Sequence, residues 1–167
     1  MLRLRPRAEA GFGSLPDTFR MPAMVRDATV DDLDALLRLY VQLSPDNATT
    51  GSPAAAEGLR RMVEHPDVSL LVAELEGALA GTVTLMLVPN LTHNARPWIQ
   101  LENMVVDENV RRGGVGKALI QAATELALRT NAYKIQLQSA DHRHGAHAFY
   151  EANGFNASSL GFRRYFD

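Results

Sequence analysis

Apolar positions along this chain switch between a period of two and a period near 3.6, and the switches mark out its elements. Val25 to Ala28 reads as a short strand, and Thr29-Val30-Asp31-Asp32 supplies a helix cap followed by acids in the first turn. Leu33, Leu36, Leu37, Tyr40 and Val41 then recur at helical spacing to about Leu43, predicting one buried stripe. Turn formers fill Ser44 to Pro53, and a second helix is expected from near Pro53 to just before Pro66. Val68 to Leu75 and Leu79 to Val88, joined at Glu76-Gly77, form an antiparallel hairpin. After a loop from Pro89 comes a strand from Trp98 to Val106. A third helix from about Gly114 to Thr130 should bury Val115, Leu119, Ile120, Ala123, Leu126 and Ala127. Tyr133 to Gln138 alternates as a further strand. A fourth helix ends at Gly154, a residue suited to a left-handed cap, and Leu160 to Phe166 is expected to close the sheet.

This order predicts an α/β domain on a mixed sheet. The strand, helix, strand unit around Val106 and Ile135 requires a parallel, right-handed crossover, and ligands favour the carboxyl ends of such strands. The length of 167 residues suits one core. No apolar run approaches the ~20 residues that span a bilayer, so no membrane partner is expected. The absence of cysteine excludes thiol nucleophiles and thiolate metal sites, and accords with a reducing, cytoplasmic location. A net charge of −2 gives no footprint for nucleic acid. The charge is uneven: through Arg26 it is +3, leaving −5 for the rest. Residues 1–24 lack periodicity and read as a basic extension outside a domain spanning 25–167. Glu9, Asp17 and scarce serine speak against an organelle-targeting peptide there, and Met21 or Met24 would serve equally as a start.

The chemistry concentrates where the central strand turns into the third helix. Gly113, Gly114 and Gly116 let the backbone approach an anion, the first helical turn offers N–H groups without internal partners, and Arg111 and Arg112 add charge. A Walker A loop is excluded: Arg111 stands at its first glycine position and Ala118 at its hydroxyl position, leaving no Mg²⁺ ligand. A dinucleotide fingerprint fails because Leu119 occupies the third glycine position. What remains is Arg111-x-x-Gly114-x-Gly116, which resembles the acyl-CoA pyrophosphate loop of the GNAT N-acetyltransferase superfamily. The likeness extends to Leu91-Thr92, Arg96-Pro97-Trp98 and Glu102 to Val106 before the loop, and to Ala146-His147-Ala148-Phe149-Tyr150-Glu151-Ala152-Asn153-Gly154-Phe155 after it. It runs from about Val25 to the C-terminus and is nearest in pattern to small-molecule bacterial members such as the aminoalkylphosphonate and glucosamine-6-phosphate acetyltransferases.

The resemblance implies the GNAT fold: a mixed sheet of six to seven strands with four helices and splayed parallel strands 4 and 5. It implies acetyl-CoA held by Arg111, Arg112, Gly113, Gly114, Val115, Gly116 and Lys117 and by the backbone of Met104, Val105 and Val106. Arg143 stands where many relatives carry a cofactor-contacting asparagine. Tyr150 is the expected general acid for the leaving thiolate, the alternative being a packed helical tyrosine. Glu102, sharing a strand face with Gln100, is the candidate base or a residue that orients substrate. Arg96 and His93 are candidate contacts to an anionic acceptor, against exposed loop residues. His142, His144 and His147 offer no obvious metal set, and no metal is required. The expected activity is transfer of acetyl to a small primary amine by direct attack in a ternary complex, in a homodimer. The rivals are acetylation of a protein lysine or N-terminus, and a non-catalytic acyl-CoA-binding module.

Overall fold

The computed structural model describes residues 22–45 and 51–166. The basic extension through residue 21, and most of the turn-forming stretch after Ser44, therefore lie outside the described residues. Met24, placed in the extension by its lack of periodicity, is the first residue of β1 (Met24–Asp27).

The capping segment behaves as its residue types dictate. Val30–Asp32 makes one 3₁₀ turn before α1 (Leu33–Leu43), and the Asp32 carboxylate accepts the Thr29 N–H at 2.7 Å. Arg26 on β1 donates to both Asp32 oxygens at 2.8 Å, and its Nε donates to Glu74 at 2.7 Å. Facing the Arg26 guanidinium, the Asp32 carboxyl is held down at about 2. Its unfolded value is the higher one, so the contribution is complete above about pH 4 and disappears as pH falls towards 2. Asp32 is only 9 % exposed, and a shift of this size corresponds to roughly 2 kcal/mol. Asp32→Asn is expected to lower Tm at pH 7 by about 4–8 °C. The gap from wild type should close near pH 2; a constant gap at both pH values would contradict the assignment.

The α1 stripe differs in detail from the expected one. Leu36 and Leu39 are its buried residues, each 2 % exposed, whereas Val41 is 47 % exposed. Helix α2 (Pro53–Glu64) starts on its proline, with Ser52 Oγ accepting the Ala55 N–H at 3.2 Å. Leu36 and Leu59 pack with Ala28, Leu70 and Val72 into a core on one sheet face.

Strands β2 (Val68–Leu75) and β3 (Ala78–Val88) form the hairpin, and β4 (Trp98–Val106) pairs antiparallel with β3. Helix α3 (Val115–Arg129) covers the other face, where Val115, Leu119, Ile120 and Ala123 pack on Val83, Leu85, Ile99 and Leu101. Strand β5 (Ile135–Gln136) runs parallel to β4, and α4 (His144–Ala152) follows. The order is β1-β2-β3-β4-β5.

Two expectations need correcting. Among the described residues the sheet has five strands, not six to seven, and β5 holds two ladder residues rather than the six of Tyr133 to Gln138. The chain after Gln136 turns away from β4, so alternation continues in sequence after pairing has stopped. Leu160 to Phe166 joins no ladder: Leu160, Phe162, Tyr165 and Phe166 are each 82–90 % exposed.

Candidate active site

The anion loop is built by two left-handed residues. After the 3₁₀ turn Glu108–Val110, Arg112 has φ +66° and Gly114 φ +83°, which swings the chain into α3. The first hydrogen bond within α3 runs from the Ala118 N–H to the Gly114 carbonyl at 3.0 Å. The N–H groups of Val115, Gly116 and Lys117 thus have no acceptor inside the helix, and no side chain caps them. A left-handed residue followed by a right-handed one also turns successive N–H groups into one concavity, a shape suited to anions. A Cβ added at Gly114 would find no atom within 4 Å, so space lies open over this turn. Arg111, Arg112 and Lys117 are exposed around it, and Arg111 Nε reaches back to the Val106 carbonyl at 3.3 Å. These features fit a diphosphate bound through main-chain N–H groups and surrounded by cations.

From the same end of the sheet a cleft opens between β4 and β5. Their only ladder pairs are Ile99 with Ile135 and Gln100 with Gln136; none joins residues 101–106 to β5. Within this unpaired stretch β4 carries a bulge. Glu102 pairs with Thr84 and Val105 with Thr82, so Asn103 and Met104 together face Val83. Asn103 has φ +51° and is exposed although its strand is central. The bulge frees main-chain groups beside Met104 towards the cleft, where an extended ligand arm could pair with them. Asn103 was not among the residues singled out from sequence. The available signal was an asparagine, which tolerates left-handed backbone, at the start of the run Met104-Val105-Val106.

The two groups expected to move protons converge here. Gln100 and Glu102 lie on the sheet face opposite Ile99 and Leu101, and Gln100 Nε2 donates to Glu102 Oε1 at 2.7 Å. Tyr150 on α4 makes edge contacts with Phe149 and Phe155, at centroid distances of 5.4 and 5.7 Å. Burial raises the Tyr150 phenol above its ordinary value; Arg143 works against the rise, and the charge of Glu102 adds to it. Glu102 and Arg143 are therefore each within electrostatic reach of the Tyr150 hydroxyl. A tyrosine so placed stays protonated at neutral pH and has a proton to give.

Arg96 and His93 are placed elsewhere, at the end of β4 remote from the anion loop. Arg96 Nε and Nη2 donate at 3.1 Å to the carbonyls of Asn131 and Ala132, and His93 stacks on Tyr133 at 3.9 Å. They brace the corner between β4 and β5, which differs from the acceptor contact expected of them. His93, Asn94 and Ala95 form a left-handed turn, with φ from +52° to +59°, a backbone that histidine and asparagine tolerate and that the type of Ala95 did not announce. His147 Nε2 lies 3.1 Å from the Ala140 carbonyl, with the His144 ring 6.1 Å from its own. Among the described residues no group of three or more His, Asp or Glu is arranged to hold a metal, and no helix is long and apolar enough to cross a membrane. A cavity of about 380 Å³ lies between β1, β2 and α3, lined by Val25, Leu71, Gln121 and Glu125 and away from this site.

Comparison with known proteins agrees with this arrangement. Residues 33–155 match the profile described as the Acetyltransferase (GNAT) family. The chain is 36 % identical over 81 residues to a glucosamine 6-phosphate N-acetyltransferase of Trypanosoma brucei brucei, a match covering 48 % of this chain and 53 % of that protein, so that it spans about half the relative's length. It is 28 % identical to the N-acetyltransferase YhfO of Bacillus subtilis over 84 % of this chain and 94 % of that one. Among solved structures, a presumed acetyltransferase from Agrobacterium tumefaciens superposes with a TM-score of 0.81 at 36 % identity, covering 86 % of this chain and 99 % of that one. A glucosamine-6-phosphate N-acetyltransferase from Arabidopsis thaliana superposes with a TM-score of 0.74 at 25 % identity, covering 88 % and 100 %.

Proposed function

Since the chain belongs to the acetyltransferase (GNAT) family and is an acyltransferase, we propose that it moves acetyl from acetyl-CoA to the primary amine of a small molecule, with both substrates bound together. The observation that carries this reading is the uncapped first turn of α3 at the mouth of the β4/β5 cleft. Acetyl-CoA, when bound, supplies the activated acyl group. The N–H groups of Val115, Gly116 and Lys117, with Arg111, Arg112 and Gly113 around them, hold its diphosphate. The β4 backbone at Met104 to Val106 aligns its extended arm and turns an N–H towards the thioester oxygen. Arg143, at the start of α4, borders the same cleft.

Glu102 then takes, through a water, the proton that an ammonium must lose before its nitrogen can attack, and Gln100 holds the carboxylate for that task. As the carbon–nitrogen bond forms and the carbon–sulfur bond breaks, Tyr150 donates its proton to the departing sulfur. No metal is required for these steps. Arg96 and His93 enter as supports of the β4–β5 corner rather than as substrate contacts. A cytoplasmic location accords with the cysteine-free composition.

The acceptor is best sought by measuring free thiol release from acetyl-CoA across a panel of amines that includes glucosamine 6-phosphate and aminoalkylphosphonates. Transfer to at least one small amine is the expected result. Binding of coenzyme without transfer to any amine or peptide would instead favour a regulatory module. Four exposed large apolar residues within seven positions of the C-terminal tail support a homodimer that covers them. Light scattering at micromolar concentration should give twice the 18.3 kDa chain mass, and a monomer mass would remove the dimer.

A further inference from the structure

Gly114 and Gly116 serve the anion turn for different reasons. Gly114 is left-handed, a conformation that favours glycine. Gly116 is not among the residues with positive φ and lies inside α3, where alanine is the better helix former. What glycine provides at 116 is space. A Cβ there would stand 3.1 and 3.2 Å from Cζ and Cε2 of Phe149, and 3.6 Å from Cγ2 of Val106. Carbon atoms settle at about 3.5–4.0 Å from one another, so the edge of the Phe149 ring already occupies the notch that a methyl would fill. The N–H of Gly116 runs along the helix axis, whereas a side chain would project from the helix surface. One residue therefore presents a donor to the anion and a seat to the ring.

Few side chains anchor α4. None of its nine residues is buried: Ala146, His147, Phe149 and Tyr150 are half-buried and the other five are exposed. At its end the chain folds back on the same two aromatic residues. Asn153 Nδ2 donates to the Phe149 carbonyl at 2.7 Å, and the Phe155 N–H donates to the Tyr150 carbonyl at 3.1 Å. Neighbouring helical residues point about 100° apart, so the seat taken by the Phe149 ring dictates the direction of Tyr150, whose ring centroid is 5.4 Å away.

We propose that Phe149 is a positioning residue: seated in the notch left by the missing side chain of Gly116, its ring sets the distance of α4 from the anion turn and so fixes where the Tyr150 hydroxyl stands relative to coenzyme held there. The effect on rate rests on the reading of Tyr150 as the acid. The seating of the ring does not.

The test is a set of mutant cycles on the full chain, with two readouts. One is turnover on an acceptor found by the amine panel. The other needs no acceptor: the ring-carbon resonance of Tyr150 in protein labelled at tyrosine, identified as the signal missing from Tyr150→Phe. Gly116→Ala adds one methyl, and Phe149→Leu makes room for it. In the wild-type background Gly116→Ala should lower kcat about tenfold with KM for acetyl-CoA within about threefold, and should move the Tyr150 resonance. In the Phe149→Leu background the same methyl should change kcat by less than about twofold and leave the resonance in place. In the Tyr150→Phe background it should likewise cost less than about twofold, because the hydroxyl it misplaces is gone. A methyl with equal effects beside phenylalanine and leucine acts on the anion turn directly, and overturns the proposal; so does a methyl with no effect. Full activity of Tyr150→Phe would defeat the acid reading and the effect on rate, whereas a resonance that the methyl moves only beside Phe149 upholds the seat. An inactive Tyr150→Phe with equal methyl effects in both backgrounds would leave the acid and defeat the positioning.

Discussion

Phenylalanine in place of Tyr150 is expected to lower kcat by two to four orders of magnitude, the usual contribution of a placed acid, while acetyl-CoA affinity stays within about twofold. The two outcomes separate because the ring and the hydroxyl have separate tasks. The ring packs edge-on against Phe149 and Phe155, contacts a phenylalanine reproduces, so α4 should keep its position. The hydroxyl alone carries the proton proposed for the departing sulfur. Its environment also fixes a sign: burial first, and the Glu102 charge after it, push the phenol above its ordinary 10, with Arg143 only partly opposing them. The acid therefore remains loaded at every pH below about 10, and wild-type kcat should show no decline from loss of this proton across the neutral and mildly alkaline range. A Tyr150→Phe enzyme with unaltered kcat, measured with the chemical step rate-limiting, would dismiss the tyrosine as acid.

Gly114→Trp is expected to weaken acetyl-CoA binding by a hundredfold or more in calorimetry without unfolding the chain. The φ of +83° costs a side-chain-bearing residue roughly 1–2 kcal/mol, which a domain of this size tolerates. A Cβ there meets nothing within 4 Å, so the indole would project into the space assigned to phosphate rather than into the core. Gly116 provides the contrast. A Cβ at that position would come within 3.1 Å of the Phe149 ring, so even alanine should disturb α4 and with it Tyr150. Unchanged affinity in a folded Gly114→Trp protein would move the diphosphate away from the start of α3.

The parts of the fold that could be read in advance are those where local chemistry and packing agree. Pro53 opens α2, the 98–106 strand has its expected ends, and the glycines before Val115 lead directly into α3. Position on the chain also places the loop between the end of β4 and the start of α3. What stayed hidden depends on contacts distant in sequence. Alternation through Gln138 says nothing of where β5 parts from β4, because side chains alternate in any extended chain, paired or not. The bulge at Asn103 reverses which side chains face α1, so that Glu102 and Val105, three apart, lie on one face; only the pairing with Thr84 and Thr82 reveals it. The apolar residues from Leu160 onward looked like a closing strand by residue type alone, yet they join no ladder and stay exposed. For Arg96 an anion grip and an exposed loop arginine stood side by side, because its charge is visible in sequence whereas the carbonyls of Asn131 and Ala132 that it bonds are not.

The corner where Arg96 clasps those carbonyls and His93 lies flat on Tyr133 makes the pair of parallel strands resemble tweezers joined at one end. Three non-glycine residues in left-handed backbone store strain there, and such strain persists only where neighbours hold the chain firmly. The two strands are laddered to each other only near that joint, while at its far end β4 stays paired with β3 through Val106 and Gly81. Any widening between the two strands would therefore come from the β5 side beyond Gln136, while the spacing at Ile99 and Ile135 stays constant.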